Sequence, residues 1–393
     1  MKAVYGTHDV QTLAQLDRVA ERAVRVALMA DGHIGYVMPI GGVAAYRDQV
    51  SPIGVGVDIA CGNAAVLTDL TNEDIAPHLE TLADEIASTI GFGLDRPKNL
   101  ADDAPTDHPL FKSDVWEALP DSVAGELKRR ARSQLGTVGS GNHYVDVFSD
   151  EQGRVWVGVH FGSRGLGFIT AHGFMSLAQH VQWKDLQPRP NMNREVILDL
   201  TSPLGHDYWA AMNLAGQYAY AGREWVARKV VDILGGREVD LVHNHHNFAW
   251  REEHGGEALI VVRKGATPAF PGQRGFVGGS MGDQSVILRG VETDEPTLHS
   301  TVHGAGRVMG RTQAKGKWRK GKCIRPGRVS PEDMRRATEG VVLRGGDLDE
   351  APQVYRKLGA VLAAQGPTVE VLHTLTPLIV CMAPSRTRDP YKD

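Results

Sequence analysis

Only three cysteines, Cys61, Cys323 and Cys381, occur in 393 residues. Three cannot build a disulfide framework, and their scarcity predicts a reducing compartment. No stretch approaches the ~20 consecutive apolar residues of a membrane-spanning helix. No apolar segment of the secretory kind follows Lys2. Together these predict a cytoplasmic protein. Internal repeats and long low-complexity tracts are absent. Clean alternation of strand and helix patterns is missing too, which argues against a Rossmann fold or a TIM barrel. The net charge is only −4, and a near-neutral average leaves room for a local basic surface. With 42% hydrophobic and 23% charged residues, wholesale disorder is excluded.

Glycine is the residue in excess: 45 of 393, about 11% against a usual ~7%. Such a chain is expected to make many tight turns and close backbone approaches. The tract from Asp31 to Gly62 is too glycine-rich for a helix and too apolar for a linker, and it reads as short buried strands and tight loops. Apolar spacing predicts helices over 9–20 (capped by Thr7 or Asp9), 72–91, 114–135, 204–234 and 352–365. Strands are expected over 24–30, 155–160, 239–246, 258–263, 286–290 and 378–382. The stretches 93–112 and 184–194 read as surface excursions. The chain is thus expected to form a mixed α/β (α+β) domain over 1–383 with a polar tail over 384–393.

Residues able to hold a metal are scattered. Asp58 and Cys61 stand three apart, His143 follows Gly-Ser-Gly-Asn, His160 ends an expected strand before a glycine turn, and His243, His245 and His246 cluster. Carboxylate, thiolate and imidazole together are the ligand set of a borderline transition metal, and by softness they suggest zinc. Any one alone is more often an ordinary buried residue. The stretches 263–267 and 278–282 have the glycines of an anion cradle, in which backbone N–H groups converge on phosphate oxygens. Neither has the Gly-Lys-Ser/Thr order of a Walker A loop. In His303-Gly304-Ala305-Gly306-Arg307 the histidine has room for a bulky group. With Arg307 and Arg311 spaced as on one helix face, His303 suits an imidazole nucleophile towards phosphorus.

From Arg307 to Arg328 there are nine basic residues and no acidic one, with Trp318 among them. Beside a phosphate site such a run reads as a groove for a polyanion backbone.

Nine motifs in one order resemble the RtcB-type RNA ligases over nearly the whole chain. They are Pro39-Ile40-Gly41-Gly42-Val43, Gly56-Val57-Asp58-Ile59-Ala60-Cys61-Gly62, Gly139-Ser140-Gly141-Asn142-His143, His160-Phe161-Gly162-Ser163-Arg164-Gly165, His245-His246-Asn247, Arg263-Lys264-Gly265-Ala266, Gly279-Ser280-Met281-Gly282, His303-Gly304-Ala305-Gly306-Arg307 and Asp349-Glu350-Ala351-Pro352. The resemblance implies an RtcB-like fold with a metal-lined central cleft. It implies joining of RNA 3′-phosphate or 2′,3′-cyclic-phosphate ends to 5′-hydroxyl ends with GTP and two Mn²⁺. By match of motif, Asp58, Cys61 and His143 hold one Mn²⁺, while Cys61 bridges to a second held by His160 and His246. His303 becomes guanylylated. Asn142, Asn247, Ser280 and Arg307 surround the guanylate or the RNA phosphate. Arg164 and Arg311 match cleft arginines, and Asp31 matches an acidic residue near the site. Some members of the family need archease as an activating partner.

The chain departs from that pattern in three places. The family ends on a guanine-reading lysine, where this chain has Met382 or Ala383 and continues to a tail containing Lys392. A lost charge-assisted contact is worth roughly 1.5–3 kcal/mol. Asp146 stands where a glutamate is usual, and Phe168-Ile169 replaces His-Gln. These departures motivate an alternative, a divergent member that binds RNA ends or removes terminal phosphates without sealing them. A metal-storage or scaffolding protein is a third reading, in which His303 and the basic run are idle.

Overall fold

The computed structural model describes residues 1–93, 103–183, 191–319, 322–385 and 387. Most of the tail expected over 384–393, including Lys392, lies outside the described residues, as do parts of the excursions at 93–112 and 184–194.

Two sheets carry the architecture. The larger runs in the order Glu238–His245, Gly62–Thr71, Arg154–Phe161, Tyr144–Ser149, Val369–Pro384, Ser285–Gly290 and Arg274–Val277, with Val342–Gly346 pairing alongside Val369–Pro384. Its end strands return towards each other, and Arg274 donates to Asp240 at 2.9 Å, so the sheet is nearly a closed barrel. The smaller sheet runs Lys2–Val4, Arg25–His33, Ile40–Tyr46, Glu257–Lys264 and Asn247–His254. One residue, His246, separates the last strand of each sheet. The chain crosses between sheets there, and a cleft opens at the crossing.

The longest helix, Pro203–Leu234, packs on the Gly62–Thr71 and Arg154–Phe161 strands. Its ends are written in the sequence. The Ser202 side chain accepts from Gly205 N, Pro203 takes the first turn where no N–H is missed, and Gly235 closes it in the left-handed conformation. Residues such as Tyr208, Met212, Ala215 and Tyr218 face one core, and Val226, Val230 and Leu234 face a second. No helix among the described residues is long and apolar enough to cross a membrane.

Most expected elements form, with informative differences. Val10–Ala20 is capped by Asp9, which accepts from Gln11 N and Thr12 N. The helix expected over 72–91 breaks into Asn72–Ile75, a 3-10 turn and Leu79–Thr89. That over 114–135 is interrupted at Pro120 and leaves Asp121–Gln134. The helix over 352–365 reduces to Leu358–Gln365 after a separate turn at Pro352–Val354. The strand over 378–382 is the end of a longer one, Val369–Pro384. The Asp31–Gly62 tract is buried strands and turns, plus the single helical turn Pro52–Val55. Arg164–Ala178 is a helix that periodicity did not announce.

Candidate active site

The turn from Asp58 to Cys61 is closed by the Cys61 N–H donating to Asp58 O at 3.1 Å. Buried Ala60 takes φ +61° to make it, a strained conformation for a residue with a Cβ. The turn aims Asp58 and Cys61 into the cleft. His143 leads into the Tyr144–Ser149 strand and His160 ends Arg154–Phe161, its hydrogen-bonded neighbour. His246 is pinned from the other side, because its N–H donates to Cys61 O at 2.8 Å.

The side chains converge. Cys61 Sγ lies 3.7 Å from His143 Nε2 and 3.2 Å from His160 Nε2. His143 Nε2 lies 3.2 Å from Asp58 Oδ2. Two groups of donor atoms result, Asp58–Cys61–His143 and Cys61–His160–His246, each within 4.8 Å, with Cys61 in both. Nδ1 of His143 donates to Val138 O at 2.8 Å, which presents Nε2 as the free lone pair. Nδ1 of His246 is buried without a hydrogen-bond partner among the described residues. Burial holds the imidazoliums of His160 and His246 well below the usual histidine range, and neighbouring histidines reinforce the effect. Neutral imidazoles, a thiol and a carboxylate form a donor set that fits two divalent transition-metal ions sharing the sulfur.

His303 borders this cluster, its ring centroid 4.9 Å from that of His246. Fully buried Asp31 lies 2.6 Å from His303 Nδ1 through Oδ2. The same oxygen accepts the backbone N–H of His303 at 3.0 Å and of Gly304 at 3.2 Å. One carboxylate oxygen therefore holds the backbone of this segment and lies against Nδ1 of the ring. Two glycines make room. Gly306 takes φ +70°, and a Cβ at Gly265 would sit 3.1 Å from the His303 ring.

A cavity of about 690 Å³ joins these groups. Asp58, Cys61, His160, His246 and His303 line it, together with Asn142, Asn247, Ser280, Arg307 and Arg311. Asn247 is also a strut, donating to Asp58 O at 3.3 Å and accepting from Gly265 N at 2.7 Å. Arg164 is buried elsewhere, donating to Gly93 O at 2.6 Å and to Thr137 Oγ1 at 3.3 Å, and it is not in the cavity wall. Asp146 and Met382 also line the cavity. Burial raises the carboxyl of Asp146 well above its usual range, and its Oδ1 has no hydrogen-bond partner among the described residues.

Three sequence expectations need correction. Arg263 does not belong to an anion cradle. It is fully buried and grips Glu252 at 2.6 and 3.0 Å, Ser300 Oγ and Leu298 O, while only Lys264 and Gly265 of that stretch reach the cavity. Arg307 and Arg311 share no helix, which begins only at Arg311. They meet instead at Glu350, with Arg307 also donating to Tyr355 Oη at 2.9 Å. The basic run is therefore not one groove. Arg307, Arg311 and Lys315 are matched by Asp347, Asp349 and Glu350, while Lys317, Lys322 and Arg325 stand on the Lys317–Arg319 and Lys322–Arg325 hairpin and Arg328 lies past it.

Arg223 escaped the sequence reading. From the long helix its guanidinium donates to Ala60 O at 2.9 Å, Phe161 O at 2.6 Å and His243 Nε2 at 2.8 Å, and it meets His245 Nδ1 at 2.8 Å. It thus holds the backs of the Cys61 and His160 segments together. Burial lowers it to about 10. His243 and His245 face this arginine, so of the three clustered histidines only His246 joins the ligands.

The profile described as tRNA-splicing ligase RtcB matches residues 9–383, nearly the whole chain. The chain belongs to the RtcB family. The RNA-splicing ligase RtcB of Escherichia coli strain K12 is 33% identical over 378 aligned positions, covering 91% of this chain and 89% of that protein. The tRNA-splicing ligase RtcB of Thermococcus kodakarensis is 31% identical over 441, with the same coverage. That of Archaeoglobus fulgidus is 33% identical over 396, covering 84% and 81%. The mixed α/β architecture and the metal-lined cleft expected of an RtcB protein are the ones described above.

Proposed function

We propose that this chain is a GTP- and Mn²⁺-dependent RNA ligase, with its catalytic domain spanning 1–383. It joins a 3′-phosphate or 2′,3′-cyclic-phosphate end to a 5′-hydroxyl end in RNA repair or splicing. The observation that carries the reading is His303, backed by Asp31, in the same cavity as Asp58, Cys61, His160 and His246 of the two donor groups. Family membership and the relatives named RNA-splicing and tRNA-splicing ligases support it.

In this reading His303 Nε2 attacks the α-phosphorus of GTP. An N–P bond forms and pyrophosphate leaves. The Asp31 carboxylate, close to Nδ1, balances charge on the ring. The guanylyl group passes to the RNA 3′-phosphate and frees His303. The 5′-hydroxyl then attacks the activated phosphorus and GMP departs. Asp58, Cys61 and His143 would hold one Mn²⁺ and Cys61, His160 and His246 the other, supplying charge neutralisation at the phosphate oxygens. Asn142, Ser280 and Arg307 line the same cavity and suit contacts to phosphate or sugar. Arg311 lines the cavity too, with its charge shared by Asp349 and Glu350, and would meet an RNA phosphate from there. Arg164, set back behind the turn after Ser163, supports the wall rather than touching substrate.

The second reading draws on Met382, which lines the cavity and, with Ala383, is one of the two residues that can stand where the family pattern has its guanine-reading lysine. A chain that held RNA ends or removed their phosphates without sealing them would fit that loss. Incubation with Mn²⁺ and α-labelled GTP, with and without an archease-type activator, separates the two. Label that survives denaturation and is lost in His303→Ala is the expected result. Metal and GTP binding without label would reject the ligase.

A further inference from the structure

The cavity has two unlike halves. One is the polar cluster around Cys61 and His303. The other is a wall of rings and apolar side chains: Ile34, Tyr36, Phe168, His172 and Met192. The helix Arg164–Ala178 begins four residues after His160, so its first turns are carried by the same segment as a metal ligand. Phe168 and His172 are four apart on it and share a face. Their ring centroids are 4.1 Å apart with planes at 29°, a stacked pair. The ring of His172 is held in place by Nδ1 against Phe168 O at 2.9 Å. In the same cavity lining Tyr36 is 51% exposed and Ile34 48%. The main-chain oxygen of Tyr36 is anchored by Lys264 Nζ at 2.7 Å, so this rim is built rather than loose.

Large apolar side chains held exposed at the mouth of a polar cavity are suited to a ligand that is itself divided, with an anionic end and a flat apolar face. A nucleotide is such a ligand. We infer that Phe168, stacked on His172 and lining the same cavity as Tyr36, is a shelf for the terminal nucleobase of the RNA strand that carries the reacting phosphate. This rests on the ligase reading above for the identity of the strand. Base stacking on aromatic rings is tolerant of sequence, which suits an enzyme joining varied ends. The base of GTP has another wall available. Tyr144, Asp146 and Met382 lie on the paired Tyr144–Ser149 and Val369–Pro384 strands and offer a carboxyl to a base edge.

Two short RNAs test the inference. One carries 2-aminopurine at its 3′-phosphate terminus, the other at its 5′-hydroxyl terminus. Each is titrated with the protein without GTP, and fluorescence is read. Stacking should quench the 3′ probe on binding. Phe168→Leu should weaken that binding about 5- to 150-fold, the range of one base–aromatic stack, while Phe168→Trp retains quenching. Circular dichroism melts check that both variants fold. Quenching unchanged in Phe168→Leu and in Tyr36→Ala would overturn the shelf, as would quenching of the 5′ probe alone. A Phe168→Leu defect confined to the KM for GTP would assign the rings to the nucleotide and overturn it too. Labelling of the wild type by GTP is measured on the same preparation. Quenching without label keeps the shelf and removes the ligase, and label without quenching does the reverse.

Discussion

Asp31 Oδ2 lies 2.6 Å from His303 Nδ1 and also accepts the backbone N–H of His303 at 3.0 Å, so a single oxygen ties down the chain that carries the ring and sets a carboxylate beside it. Asp31→Asn keeps the shape but removes the carboxylate charge beside the ring. It should slow guanylylation of His303 by up to about 10⁴-fold, the loss seen when the carboxylate beside a catalytic imidazole becomes an amide. Bound metal should stay as in the wild type. Single-turnover labelling with α-labelled GTP, alongside metal analysis, checks this, and an unchanged labelling rate would remove Asp31 from the mechanism.

Cys61 belongs to both donor groups, whereas His143 belongs to one. Cys61→Ala should therefore weaken both bound ions and His143→Ala only one. Mass-spectrometric metal counting at fixed free Mn²⁺ reads the stoichiometry. Two ions retained per chain in Cys61→Ala would show that the sulfur is not shared.

The Arg223 guanidinium meets Ala60 O, Phe161 O and two histidines while fully buried. Arg223→Met leaves those acceptors unpaired in a dry site and should cost about 3–5 kcal/mol. Arg223→Lys should recover little, because a point charge cannot reproduce the fork. Urea unfolding of metal-free protein measures both variants. A loss below about 1 kcal/mol in Arg223→Met, the worth of one ordinary hydrogen bond, would mean that the guanidinium does not hold the site together.

His33 lines the cavity, and burial, with His303 nearby, lowers it to about 4. The unfolded chain binds its proton near pH 6.5. Between those values the unfolded state holds more protons than the native one. His33 therefore stabilises the fold fully above pH 6.5, and that contribution is lost as the pH falls towards 4. The melting temperature of the metal-free protein should drop from pH 7 to pH 5, and His33→Asn should drop less. Identical slopes would exclude His33 from the acid limb.

The local chemistry of this fold is plain in the chain itself. Asp9, and Ser202 with Pro203, announce helix starts because a side-chain oxygen satisfies amides two or three residues on. Asp58, Cys61, His143, His160, His246 and His303 could be singled out because few residue types bind metal or attack phosphorus. Glycine was harder to read. Gly167 and Gly173 look like helix breakers, yet they lie inside Arg164–Ala178, where any Cβ would collide with Ser163 and Trp183. They are there for close packing, which depends on a neighbour that spacing does not name.

Partnership was decided by tertiary structure alone. That Cys61 stands between His143 and His160, 82 and 99 residues away, follows from sheet pairing. That Arg307, Arg311 and Lys315 are tied to acids 32 to 43 residues later turned a reading of free positive charge into a set of ion pairs. That Arg223 stands behind the Cys61 and His160 segments follows from where the long helix lies on the larger sheet. Residue type fixes what a side chain can do. Which partner it meets depends on contacts between segments distant in the chain, and those exist only once the two sheets have closed around the cleft.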